Sequence, residues 1–262
     1  MKRIWFKRKG MDRMESALLD WKRGIIRTVQ GPIPIQSVSF DVPITGTVYN
    51  ILFNYKGVYE SFEPSMYKPP YIHPPKSPVL YMKPGNTLIA HKSSIPVPRH
   101  YSSVMVGPSL GFVIGKRAKR VKKEEARSYI QGLIIANDVQ IPHKNFYRPA
   151  IKEIARDGFC PIGPWIVDIG AFDRLDRLQI RVLINGDLKL ENHTGNMVQT
   201  FDVLLERITD FMTLEEGDVL LTGIPENAPL AKRKDVVTVE IEGIGRLENE
   251  LMDESLWKGE KG

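Results

Sequence analysis

The chain of 262 residues is poor in cysteine: Cys160 is its one thiol. That excludes an internal disulfide and a cysteine-built metal cluster, and fits a reducing compartment, so a cytoplasmic protein is expected. No run of about 18 apolar residues occurs, which excludes a conventional membrane-spanning helix. The basic start MKRIWFKRKG has no apolar segment behind it and does not read as a secretory signal. No repeat recurs at 20–50 residues. The five histidines are scattered, with no pair at helical ligand spacing such as HExxH. Each reads more readily as a local hydrogen-bonding residue than as a catalyst.

Hydrophobic residues make up 42% and charged residues 26%, with a formal net charge of +6. These are ordinary globular values, and the length allows one large domain with a small appendage. Lys116, Arg117, Lys119, Arg120, Lys122 and Lys123 concentrate base in one short stretch. Glu124 and Glu125 follow at once, and no aromatic residues interleave to stack on bases, so neither nucleic acid nor a membrane is an expected partner.

Composition shifts near residue 45. Residues 1–45 read as a small N-terminal subdomain with a short helical pattern over Met14 to Trp21, and residues 46–262 as the main domain. Prolines crowd residues 60–98, which argues for extended segments broken by turns rather than a long helix. Lys122 to Tyr129 reads as a short helix, and Leu133 to Ala136 and Trp165 to Ile169 as buried strands. Leu178 to Leu190 alternates around Asn185-Gly186, a hairpin signature. Val198, Phe201, Leu204, Leu205, Ile208 and Phe211 recur at helical spacing. Val236 to Ile241 alternates as a late strand. Many strands and few helices predict an α+β, β-rich fold.

Gly107-Pro108-Ser109-Leu110-Gly111 matches the letters Gly-x-Ser-x-Gly. It leads into a strand, whereas a nucleophile elbow needs a strand before the serine and a helix after it, so Ser109 is not expected to be a nucleophile. Asn137-Asp138 ends a strand, where a carboxylate can face a cleft and ligate a hard cation. Arg148, Lys152 and Arg156 follow in a segment suited to clamping an anion.

A series of short motifs then runs in one order. It comprises Asn54-Tyr55, Tyr81-Met82-Lys83-Pro84, Phe112-Val113-Ile114-Gly115-Lys116, Ala136-Asn137-Asp138, Pro161-Ile162-Gly163-Pro164-Trp165, Asn185-Gly186, Thr222-Gly223-Ile224-Pro225 and Gly243-Ile244-Gly245-Arg246-Leu247. This order, over about residues 46–250, resembles the fumarylacetoacetate hydrolase family. Asn145-Phe146-Tyr147-Arg148-Pro149 and Arg156-Asp157-Gly158-Phe159-Cys160-Pro161 narrow the resemblance to its isomerase/decarboxylase branch in 4-hydroxyphenylacetate (homoprotocatechuate) breakdown, and within fused members to the amino-terminal half.

The resemblance implies a mixed β-sandwich roll, assembled as a homodimer or higher oligomer, with a paralogous subunit as a further partner. It implies a small di- or tricarboxylate 2-oxo acid as substrate. The implied reactions are 5-oxopent-3-ene-1,2,5-tricarboxylate decarboxylation and 2-hydroxyhepta-2,4-diene-1,7-dioate isomerisation, both through an enolate; the alternative is a degenerate supporting subunit. The family holds a divalent metal (Mg, Mn or Ca) on a Glu-x-Glu pair and a later aspartate. The aspartate matches Asp138, but the paired positions carry Gly107 and Ser109, which supply no anionic oxygen and are not expected to bind. The family lysine falls near Ile154, with Lys152 two positions away, and the family histidine near Val58, with Glu60 the nearest acid. Carried over residue by residue, Lys83, Lys152 and Glu60 are the catalytic candidates. Arg148, Arg156, Thr222 and Gly223 are the substrate-binding candidates. The loop after Thr222-Gly223-Ile224-Pro225 carries Glu226, Asn227 and Ala228 instead of the usual glycine, and the glutamine after the hairpin becomes Leu190.

Overall fold

A computed structural model describes residues 1–143, 146 and 150–259. Among these, twelve strands form one large sheet. Its main path runs from Val79–Lys83 through Val48–Leu52, Val219–Leu221, Pro108–Ile114, Ile130–Asn137 and Cys160–Asp168 to Lys2–Arg8, and then out through Met14–Asp20, Ile25–Thr28 and Gly31–Pro34. A second sheet orders Asp187–His193, Gln179–Ile184, Val236–Ile241, Gly245–Asp253 and Ile95–Val97. The main core lies between them, with Leu110, Phe112, Val182, Val239 and Trp165 all buried in it. The central strands also bury their other face, where Val113, Ile134, Ile162 and Val219 cluster. Strands covered on both faces read as continuous apolar runs, as Ile130–Asn137 does.

Local signals explain most elements. The hairpin turns at Asn185 and Gly186, both at positive φ (55° and 87°), the geometry that favours this pair. The helix Phe201–Phe211 buries Phe201, Leu204, Leu205 and Ile208 on one stripe.

Two sequence expectations are corrected. Met14–Asp20 is a strand, paired antiparallel with Lys2–Arg8; Ala17 and Leu19 alternate into the core, so sheet pairing overrides a weak helical pattern. The short helix expected over Lys122 to Tyr129 is present as a 3-10 helix, Lys123–Tyr129. The proline-rich stretch begins inside a helix, Lys56–Met66, with Pro64 in its last turn. Residues 1–45 join the large sheet through Ile4, Trp5 and Phe6, which pair with Val167, Ile166 and Trp165. No helix among the described residues is long and apolar enough to cross a membrane.

Candidate active site

Position 138 follows directly on the Ile130–Asn137 strand. The neighbouring Pro108–Ile114 strand sets Pro108 opposite Asn137 and Ser109 opposite Ala136. Positions 107, 109 and 138 therefore meet at one end of the large sheet. From the sheet's edge, Val79–Lys83 sends Tyr81 and Lys83 from the same face, since side chains alternate along a strand. Asn50 pairs with Tyr81 across the adjacent strand. These three side chains converge on Asp138.

The Asp138 carboxylate is completely buried. Its Oδ1 accepts from Lys83 Nζ at 2.8 Å. Its Oδ2 accepts from Asn50 Nδ2 at 2.5 Å, Gln140 Nε2 at 3.2 Å and the Tyr81 hydroxyl. Four donors hold the carboxylate, one on Oδ1 and three crowded on Oδ2. Lys83 is equally committed: its remaining protons go to the carbonyls of Val139 at 3.3 Å and Ile154 at 2.5 Å. Burial first, and then the charge of Asp138, holds the Tyr81 phenol well above its ordinary pKa, so it stays a donor. Cys160 lies within reach of the same charges, and burial pushes its thiol up to about 12.

The family's cation does not fit these residues. A side chain at Gly107 would place its Cβ 2.3 Å from the Asp138 carbonyl oxygen and 2.6 Å from Ile224 Cδ1. The space that a ligand at position 107 would need is therefore taken by backbone and by an apolar side chain. Ser109 Oγ donates to the Gly223 carbonyl at 2.9 Å. The Asp138 carboxylate is already neutralised by Lys83 and held by three further donors.

A second polar group adjoins the first through Gly223. The Gly223 N–H donates to Asn50 Oδ1 at 2.9 Å, and Asn54 Nδ2 donates to the Thr222 carbonyl at 3.0 Å. Gly223 sits at φ +96°, and a Cβ there would meet the Ile51 carbonyl oxygen at 2.8 Å, so only glycine fits. Beyond it, Tyr55 Oη, Thr222 Oγ1 and Glu226 Oε2 are buried and make no well-formed hydrogen bond, although Tyr55 and Thr222 lie close enough to influence each other. Glu226 Oε1 is held by Asn192 Nδ2 at 2.9 Å. Burial raises the Tyr55 phenol above its usual range; nearby Thr222 works against this and the Glu226 charge adds to it. Orphaned buried polar atoms are rare and costly, and three neighbouring ones point to a group that completes them.

The fold thus gathers Lys83, Asp138, Gly107, Ser109, Thr222 and Gly223 in one region. It leaves Glu60 and Lys152 exposed on the surface. Arg156 turns to Glu254 at 3.5 Å rather than toward Asp138. Arg148 lies outside the described residues. Sequence reasoning missed Asn50, Gln140, Tyr55 and Glu226 as site residues. Strand alternation and register through Tyr81 could have found Asn50; nothing local marks Glu226.

The comparisons with known proteins agree with this frame. The family model "Fumarylacetoacetate (FAA) hydrolase C-terminal" matches residues 47–252. The chain belongs to the fumarylacetoacetate hydrolase family. It is 36% identical over 209 residues to the 4-hydroxyphenylacetate degradation bifunctional isomerase/decarboxylase of Escherichia coli, covering 80% of this chain and 48% of that protein. The chain therefore spans about half the length of these bifunctional relatives. Among solved structures, 5-carboxymethyl-2-hydroxymuconate delta-isomerase from Mycobacterium smegmatis superposes with a TM-score of 0.79 at 26% identity, over 97% of this chain and 99% of that one. Maleylpyruvate hydrolase from Sphingobium, solved with manganese(II) and pyruvate, shares the fold at 18% identity and a TM-score of 0.77, over 95% and 99% of the two chains. A divalent metal thus occurs within this fold, on a protein other than this one.

Proposed function

We propose that the chain is an isomerase/decarboxylase-type enzyme that acts on a small 2-oxo di- or tricarboxylate through its enol. The candidate reactions are isomerisation of 2-hydroxyhepta-2,4-diene-1,7-dioate and decarboxylation of 5-oxopent-3-ene-1,2,5-tricarboxylate. The observation that carries this is the trio of unpartnered polar groups, Tyr55, Thr222 and Glu226, beside the Asp138 network. The named activities of the relatives support the reaction class.

On this reading the reaction uses no metal. Tyr55, kept protonated by burial, donates to the substrate's 2-oxo oxygen, where negative charge grows in the enolate. Thr222 Oγ1 adds a second hydrogen bond to that oxygen. In isomerisation of the dienol, Glu226 takes the 2-hydroxyl proton as the 2-oxo group forms and delivers a proton to carbon at the far end of the diene, which leaves the net composition unchanged. In decarboxylation the electron pair of the breaking C–C bond enters the enolate, carbon dioxide leaves, and a proton is taken up at carbon. The Lys83–Asp138 network holds the strand ends on which this trio is mounted.

Purified chain should convert the dienedioate, followed by its ultraviolet absorbance, and turnover should survive chelator. Glu226→Gln should lower kcat by about 10²- to 10⁴-fold, as expected for loss of a general acid–base. Absence of turnover with both substrates would sink this reading. The sealed Asp138 centre favours a second one, a supporting subunit beside a metal-competent paralogue. The paralogue, co-expressed with this chain, would then co-purify and gain activity; separate elution with unchanged activity counts against it.

A further inference from the structure

A different part of the molecule carries a second site, independent of the reaction proposed above. A cleft of about 780 Å³ opens between the N-terminal strands and the Gly245–Asp253 strand. That volume suits a small organic ligand. Lys9, Lys92 and Lys258 line it, and no aspartate or glutamate does. None of the three lysines forms an ion pair among the described residues. At the adjoining strand end, Asp253 is held by Arg233 at 3.1 Å and Glu254 by Arg156 at 3.5 Å.

The wall of this cleft is locked in place. Lys92 sits at φ +67°, a left-handed conformation that is costly for a residue with a Cβ. Bonds on both sides hold it there. The Lys92 N–H donates to the Glu248 carbonyl at 2.7 Å. The Glu248 N–H donates to His91 Nδ1 at 3.0 Å. Asn249 Nδ2 donates to the carbonyls of Ala90 at 2.9 Å and Ser93 at 2.8 Å. Because His91 Nδ1 accepts, its neutral ring carries the proton on Nε2 and is a donor there. Half-buried Trp257 supplies apolar surface along the same cleft, and the largely buried Phe40 lies in its wall.

We infer that this cleft, built by Lys9, Lys92, Lys258 and His91 beside Phe40 and Trp257, binds a small aromatic or otherwise planar organic dianion, of carboxylate or phosphate type. Positive charge without a lining acid selects the anion, and the aromatic wall selects the planar body. The strained Lys92 turn holds the donors ready before the ligand arrives, which lowers the ordering cost of binding.

Isothermal titration of the full chain with phenyl phosphate and, separately, benzene-1,2-dicarboxylate tests this, with benzylamine as a cationic control. At least one anion should bind with Kd on the order of 1 mM or tighter, and benzylamine should not bind. Which anion is preferred distinguishes phosphate from carboxylate. In the double variant Lys9→Ser, Lys92→Gly, affinity should fall tenfold or more; glycine at position 92 keeps the left-handed turn, so folding is preserved. Thr222→Val should leave the affinity unchanged, which separates this cleft from the proposed reaction centre. No binding of either anion, equal binding of benzylamine, or undiminished affinity in the double variant would each overturn the inference.

Discussion

Lys83 and Asp138 form an ion pair at 2.8 Å in which both side chains are wholly excluded from solvent. Removing one partner leaves an uncompensated charge in the interior. Lys83→Met is expected to cost about 3–5 kcal/mol of stability, read as a lowered midpoint in urea unfolding. The double variant Lys83→Met, Asp138→Asn should recover a large part of that loss, because no unpaired charge remains. Equal destabilisation by the single and double variants would show that packing of the lysine stem, not charge pairing, holds the site.

Restoring the acids should not restore a metal centre. Gly107→Glu forces a Cβ to within 2.3 Å of the Asp138 carbonyl oxygen. Gly107→Glu with Ser109→Glu is therefore expected to lower the melting temperature and to leave manganese unbound, as followed by the spin-resonance signal of free Mn²⁺. A stable double variant that titrates manganese stoichiometrically would contradict the packing described for Ile224.

His91 predicts a pH dependence with a definite sign. Burial lowers its pKa from 6.5 to about 4. Between those values the unfolded chain binds a proton that the folded chain does not. Stability should thus be level with respect to this group above pH 6.5 and fall as the pH drops toward 4, by up to about 3 kcal/mol. Urea unfolding at pH 7.5 and pH 4.5 measures the difference. His91→Asn, which keeps an acceptor for the Glu248 N–H, should show a smaller one.

Cys160 should be silent in the native state. Its thiol is fully buried and raised to about 12, whereas reactivity requires an accessible thiolate. A colorimetric disulfide reagent should label it only after denaturant is added. Rapid labelling of the folded protein would mean that the sheet opens locally near the Asp138 network.

The sequence by itself determined the β-rich class, the hairpin at Asn185-Gly186, the helix Phe201–Phe211 and the family, because periodicity, turn chemistry and ordered motifs are local signals. It also marked positions 107, 109 and 138 as one group. The tertiary structure decided what that group is. Whether Asp138 is an open ligand depends on donors from two separate strands and a loop, Asn50, Tyr81, Lys83 and Gln140, whose convergence follows from sheet order and register. Sequence spacing could not turn Glu60 and Lys152 outward, nor set Glu226 beside Tyr55. Exposure and contact between residues far apart along the chain arise only when the sheets pack. The same holds for the strand Met14–Asp20: its local pattern suits a helix, and only its partner Lys2–Arg8 makes extended backbone the better way to satisfy its hydrogen bonds.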